Sequence, residues 1–357
     1  MSKEKNLNAV GGDDGHHSIK IAVMQPGAPI KTFVMPARAW PGKLTSAGLT
    51  ESSTAEGLDK IYMTSDNQYV TITADDLLGK FADTRSNDYP TTATNRALVH
   101  YALRQAGVTG PTSLVSGLPV DRFYLGEIPN KELIEAKRQN LLKPITCLAD
   151  VDVPVIETHQ VLSEAVAAFF DQRYDDQGKL NQDFHELSNS APIAVVDGGG
   201  KTLDIAVVRE GGTGLYKDMS GTADVGALTL YDRLNQELRK QFSLGQDIAI
   251  KYLEQAVKTG QYRLYGKPHD VSKLVEGMLE EFSDQVRFEV SKRLKDASQF
   301  GCTLFVGGVA ELLGARFRGR VFPGLPQEAI FVPVDPGFAN ARGMAKAAFL
   351  AAQRARM

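Results

Sequence analysis

At 357 residues, with 43% hydrophobic residues and a formal net charge of −3, the chain is long enough for two domains with real cores and has no general attraction to nucleic acid. No apolar run approaches membrane-spanning length and the opening "MSKEKNLNAV" lacks a signal-peptide core, so a cytoplasmic protein that touches neither membrane nor DNA directly is expected. Cys147 and Cys302 both sit in apolar strand-like runs and read as reduced core residues, not as a disulfide or metal site.

In chain order, the first feature is "AVGGDDGHHSIKIAVM", Ala9 to Met24: a short apolar lead-in ending in Asp13, Asp14 and Gly15, then an apolar strand from Ile19 to Met24. Strand-like segments follow at Lys31 to Met35, Ile61 to Thr64 and Tyr69 to Thr73. A helix from Thr94 to Gln105 repeats its apolar residues at Leu98, Tyr101 and Ala102 before Gly107 ends it. Next come a strand at Ser113 to Ser116, a helix at Lys131 to Leu142, strands through "VPVIETHQVL" and a helix from Glu164 to Tyr174. The polar stretch Asp175 to Ser190 reads as a partly ordered connector, and the boundary falls there. Beyond it, "AVVDGGGKTLDIAVV", Ala194 to Val208, is a second glycine-centred hairpin, about half a chain from the first. The longest element, Asp270 to Ala297, places Val271, Leu274, Val275, Met278, Leu279, Phe282 and Val286 at helical spacing as core. "CTLFVGGVAELLGARF", Cys302 to Phe317, is a buried strand, a Gly307-Gly308 turn and a helix start, and the alanine-rich "FANARGMAKAAFLAAQRA" closes the chain as a helix.

The two hairpins carry the chemistry. Gly198, Gly199 and Gly200 can take positive φ and have no Cβ, so backbone N–H groups can converge on a phosphate. Asp197 would repel a bare phosphate, and its place at the strand end makes sense with a divalent cation between them. One such loop reads equally as a plain tight turn. A second copy at half-chain spacing points to a duplicated unit holding a nucleotide between its halves. The Gly307-Gly308 turn can aim amides and a helix N-terminus at the same ligand, although ordinary strand-to-helix packing explains it when taken alone.

The trio "GGDDGHHSIK", "VVDGGGKTLDI" and "FVGGVAELL", in this order and spacing, resembles the two phosphate motifs and the adenosine motif of the actin, heat-shock-70 and sugar-kinase superfamily. "VSGLPVDRFY" and "GFANARGMA" narrow the likeness to plasmid-segregation actins of the ParM (StbA) type, from about Ala9 to Ala352. The resemblance implies an α/β actin-like fold, two duplicated ribonuclease-H-like domains around a nucleotide cleft, with residues 1–190 plus 335–357 as the first domain and 191–334 as the second. The last helix packs back onto the first domain. It also implies an ATPase, with GTP as an alternative substrate, that polymerises on nucleotide binding and segregates plasmid DNA through a ParR-like DNA-bound adaptor. A non-polymerising sugar-kinase-type phosphotransferase is the alternative.

By position in the motifs, Asp13 and Asp197 match the aspartates that hold Mg²⁺ through water. Asp14, Gly15, Gly198, Gly199, Gly200, Gly307 and Gly308 match nucleotide-binding positions, Lys20 stands where a family lysine reaches the phosphates, and Asp204 matches a second hairpin acid with a water-network or structural role. Hydrolysis needs a group that orients water in line with the γ-phosphate. Alignment of "VDVPVIETHQVLSEAVAAFF" gives that place to Glu164, with Glu157 as runner-up. Three departures stand out: His16 and His17 occupy positions where small hydroxyl residues are usual, Lys201 replaces a small polar residue, and Val309 replaces the third glycine of the adenosine motif. His16, His17 and Lys201 are therefore candidate phosphate contacts, and the choice between ATP and GTP stays open.

Overall fold

The computed structural model describes residues 7–44, 57–73, 81–320 and 329–354. The first six residues, part of the stretch read above for a signal peptide, lie outside them.

The chain begins with a meander, β1 (Asn8–Asp14), β2 (Ser18–Met24) and β3 (Lys31–Pro36), followed by the short strands β4 (Ala39–Pro41), β5 (Ile61–Thr64) and β6 (Tyr69–Ile72). Helix α1 (Ala93–Gln105) starts where the Thr92 side chain accepts a bond from the Asn95 amide. Strand β7 (Pro111–Leu118) leads into the single turn α2 (Val120–Phe123) and a small hairpin, β8 (Tyr124–Leu125) and β9 (Ile128–Pro129). Helix α3 (Lys131–Leu142) is capped by Asn130. Then come β10 (Ile145–Cys147), β11 (Val155–Ser163), α4 (Glu164–Arg173) and α5 (Gln182–Ser190). The second half opens with another meander, β12 (Ile193–Gly198), β13 (Leu203–Val208) and β14 (Gly221–Ala223). It continues through α6 (Ala227–Phe242), α7 (Ile250–Thr259), the hairpin β15 (Gln261–Leu264) and β16 (Lys267–Asp270), α8 (Ser272–Leu294), β17 (Cys302–Val306), α9 (Gly307–Arg320), β18 (Ile330–Phe331) and α10 (Ala339–Arg354).

The two large sheets repeat one topology. In the first, the order is β11-β7-β1-β2-β3; in the second, β18-β17-β12-β13-β14. Each has an antiparallel meander whose first strand pairs in parallel with a later strand, itself paired in parallel with a fifth. This places the β1–β2 and β12–β13 turns at equivalent points of the two halves, as the duplicated hairpins predict.

Each half has its own apolar core. One gathers Val10, Ile19, Ile21, Leu98 and Leu114 under α1, the other Val196, Ile205, Leu234, Phe282 and Phe305 under α6 and α8. A third cluster joins Ala165 and Phe169 of α4 to Val195, Ala206 and Leu304 of the second sheet. Helix α10 lies on β1, β2, β7 and α4 of the first half, packing Ala341, Met344, Ala345 and Ala348 against Ala9, Ala22 and Val115. A Cβ at Gly11 would strike the Ala341 carbonyl, and one at Gly343 would strike the Ala167 carbonyl, so small residues set how closely this helix docks.

Two expectations need correction. The connector at 175–190 contains α5, started by the Asn181 side chain accepting from the Phe184 amide and anchored by Phe184, 5.5 Å from Phe169; only a narrow stripe of this polar stretch is buried. Helix α8 is shorter than the apolar pattern at 270–297, because Lys295 and Ala297 take positive φ and end it. Cys147 and Cys302 are buried free thiols. Among the described residues no helix is long and apolar enough to cross a membrane.

Candidate functional site

The β1–β2 and β12–β13 turns open onto one cleft of about 350 Å³. Asp13, Asp14, Gly15, His16, His17 and Lys20 line it from the first hairpin, and Asp197, Gly199, Gly200 and Lys201 from the second. Glu164, at the β11–α4 junction, and Gly307 and Gly308, at the start of α9, complete the predicted residues around it. Glu157 is exposed on β11 and does not line the cleft.

Asp204 and Gly198 are likewise absent from the lining, Gly198 for a reason of packing. Its α-carbon faces α9, and a Cβ there would strike the side chain of Val309. None of Gly198, Gly199 and Gly200 takes the left-handed φ expected of this loop. At Gly198 and Gly200 small size serves packing: a Cβ on Gly200 would lie 2.5 Å from the His17 Cβ. The loop carbonyls of Gly199 and Gly200 accept from Ala227 and Leu228 at the start of α6, at 3.1 and 2.8 Å. The left-handed glycine is Gly307, at φ 83°, where a Cβ would collide with an Asp197 carboxylate oxygen.

In the first hairpin, Asp13 faces Lys20 across the ladder, with Nζ 3.8 Å from the carboxylate. Both oxygens of Asp14 are engaged within the protein: Asn95 Nδ2 donates to one at 2.7 Å and the buried Lys137 Nζ to the other at 2.8 Å. Lys137 also donates to the Gly117 carbonyl. Asp14 is therefore held firmly in the wall of the cleft.

In the second hairpin, Asp197 accepts from Asn340 Nδ2 at 2.7 Å. Its ladder partner Asp204 accepts from the Val120 amide at 2.7 Å and from the hydroxyls of Thr222 and Thr202 at 2.5 and 3.0 Å. The bond from Val120 ties the second hairpin to the β7–α2 turn of the first half.

His16, His17 and Lys201 line the cleft but direct polar atoms at protein partners. His16 Nδ1 meets the Thr84 carbonyl, and burial lowers its pKa. His17 Nε2 lies 2.7 Å from Glu254 on α7. Lys201 Nζ donates to the Arg85 carbonyl and to Asn87 at 2.9 and 3.2 Å. With the Arg85–Asp232 ion pair at 2.6 Å, the His17 and Lys201 contacts bridge the two halves beside the cleft.

The remaining acids are short of positive charge. Burial, with Asp197 and Asp14 adding to it against Lys20, pushes the Asp13 carboxyl up to about 6. Burial and the nearby Asp204 raise Asp197 to about 6. Glu164 is raised well above the ordinary range by burial and then by Asp13, Asp204 and Asp197. Such a cluster fits a cation between Asp13 and Asp197. Among the described residues no group of three or more His, Cys, Asp or Glu side chains could cage a metal.

Lys137, Asn95, Asn340, Tyr231, Glu254 and Glu311 were not anticipated at the cleft; all but Asn95 line it. Lys137 lies in a helix of mixed charge, KELIEAKRQNLL, where it is one of several cations. Asn340 belongs to "GFANARGMA", and that motif gives no hint of a partner 143 residues away.

A duplicated α/β fold with an acidic glycine hairpin from each half on one cleft defines a two-domain actin-like protein. Residues 9–175 match the model of the plasmid segregation protein ParM N-terminal domain, and residues 195–319 match that of the archaeal MreB-like actin homologue C-terminal domain. The chain belongs to the actin-like proteins, with an N-terminal half of the ParM (StbA) type.

Solved structures agree in fold. A 15-stranded ParM filament from Clostridium botulinum aligns with TM-score 0.73 and 17% identity over 97% of this chain and 99% of that one. A non-polymerisable quadruple mutant of the pCBH ParM aligns with TM-score 0.73 and 16% identity over 97% and 100%. An archaeal actin homologue in complex with ADP aligns with TM-score 0.70 and 16% identity over 96% and 100%. No curated protein matches the sequence.

Proposed function

We propose that this chain is a cytoplasmic ATPase of the ParM kind that assembles into filaments on binding nucleotide and segregates plasmid DNA through a DNA-bound adaptor. The observation that carries this reading is the pair of under-neutralised acids, Asp13 and Asp197, brought from the two hairpins onto one cleft beside the glycine start of α9. The filament and the ADP complex among the similar structures support it.

In this reading, residues 1–190 with 335–357 move as one unit and 191–334 as the other. The nucleotide draws them together, and the closed shape stacks head to tail, a heterologous contact that yields an open filament. Asp13 and Asp197 hold Mg²⁺ through its water, and the ion neutralises charge on the phosphates. Gly15, Gly199 and Gly200 let backbone approach the phosphates, and Gly307 and Gly308 bring the N-terminus of α9 to the ligand. Glu164 is the water-orienting group, since it lines the cleft whereas Glu157 does not. ATP and GTP both suit the acids and glycines.

Sedimentation with ATP, GTP, ADP or no nucleotide, each with and without Mg²⁺, tests the reading. A pellet that requires triphosphate and Mg²⁺ is expected. Protein that stays in the supernatant across nucleotides, salt and concentration would remove the filament.

A further inference from the structure

Asn340 sits at the start of α10, a helix packed on the first half, yet its side chain reaches the acid of the second half's hairpin. It is 5% exposed and lines the cleft with Asp197 and Gly307. The 2.7 Å bond to Asp197 fixes the orientation of the amide, because reversing it would set two acceptor oxygens against each other. Its nitrogen is thus committed to Asp197, and its buried Oδ1 has no hydrogen-bond partner.

A buried amide oxygen without a donor is unusual, since buried polar groups are ordinarily paired. What completes it must donate a hydrogen bond. Phosphate oxygens are acceptors at neutral pH and cannot do so. Water held on a divalent cation is a strong donor, and the same water can donate to the Asp197 carboxylate.

We propose that Asn340 is a binding residue of the cation side of the cleft: its amide nitrogen fixes Asp197, and its amide oxygen accepts a hydrogen bond from water carried by the divalent cation that accompanies the nucleotide. This inference rests on the nucleotide reading of the cleft. It gives α10, and with it the first half, a direct contact to the metal-bearing acid of the second, so the two units sense the same ligand through one side chain as well as through the two hairpins. Outer-shell partners of this kind orient the groups that hold a metal.

The test is calorimetric titration of ADP into the full chain, with Mg²⁺ and with chelator, for wild type and Asn340→Leu. Mg²⁺ should tighten ADP binding to wild type, and that tightening should shrink about ten- to a hundredfold in the variant, with a far smaller change in metal-free ADP affinity. Should Asn340→Leu fail to fold, Asn340→Ser removes the reach to Asp197 without adding bulk and allows the same comparison. Equal Mg²⁺-dependent tightening in variant and wild type overturns the role of Asn340 and leaves the nucleotide site standing. Equal loss of ADP affinity with and without Mg²⁺ also overturns it, because the residue would then act on the fold or on the nucleotide itself. Wild type that binds no ADP under either condition overturns both the inference and the reading beneath it.

Discussion

The two glycine hairpins share a topology but divide the work. In the first, each acid has a lysine beside it: Lys20 faces Asp13, whose carboxyl burial still holds up at about 6, and Lys137 with Asn95 locks Asp14. In the second, Asp197 is held by a neutral amide, and its glycines are wedged against Val309 and His17. The first hairpin carries a lysine beside each acid, the second a rigid seat whose acid is bonded only by a neutral amide. Duplication has preserved the backbone frame, and the side chains around each turn have specialised.

The largest consequence of this difference concerns Asp14. Its ion pair with Lys137 is almost wholly buried, with side-chain exposures of 1% and 2%, and removing one partner strands the other charge. Asp14→Ala should cost about 3–5 kcal/mol of stability in urea melts, and Lys137→Met in the same background should recover part of the loss. A cost near zero would show that the first hairpin is not braced by this pair.

Asp197 should respond in the opposite direction. Its carboxyl stands at about 6 in the fold against an ordinary 3.8, so the folded state binds the proton more readily than the unfolded chain. The stability linked to this group is present below its unfolded value and is lost as pH rises through about 6. In chelator and without nucleotide, Asp197→Asn should therefore stabilise the protein at pH 7.5 by up to about 3 kcal/mol, and the gain should fade towards pH 4. Destabilisation at pH 7.5 would mean that the acid is already balanced.

Glu164 stands between the hairpins, its carboxyl raised by acids from both. If it orients water, Glu164→Ala should slow phosphate release by roughly tenfold or more while assembly followed by light scattering persists, since positioning groups act mainly on the transition state. Glu157→Ala should match wild type. Slow release from the Glu157 variant alone would reverse the assignment.

A smaller effect probes the rigid seat. A methyl group at Gly198 collides with Val309, with the nearest atom at 2.4 Å, whereas at Gly15 it would press on the Ser18 carbonyl at a tight 3.2 Å that a shift of a few tenths of an ångström relieves. Gly198→Ala should cost about 1–3 kcal/mol in a thermal melt, Gly15→Ala less, and Val309→Ala should rescue the former. Equal costs at the two glycines would erase the mechanical contrast.

The hairpins were legible because their signal is local: β-branched runs broken at glycine and acid, within a few residues of one another. Helix α3 was legible to the residue, as Asn130 caps it. The grips on the acids were not, because Lys137 and Asn340 lie 123 and 143 residues from Asp14 and Asp197, and neither looks unusual on its own helix. Gly198 misled for a related reason. Glycine between strands suggests either a turn or a ligand, and only the packing of α9 shows that Val309 fills the space. Helix α5 hid in a polar stretch because burial of Phe184 and Ser188 suffices to dock it.

Whether the two hairpins act on one ligand is most directly measured by a double-mutant cycle on Mg²⁺-dependent ADP binding, with Asp13→Ala, Asp197→Ala and the double variant. Two acids sharing one hydrated cation should couple: once either is lost the ion is poorly held, and the double variant should bind little worse than the weaker single one, a coupling of about 1 kcal/mol or more. Losses that add to within about 0.5 kcal/mol would mean that the two acids work independently, and a cleft closed by one shared nucleotide and metal would be contradicted.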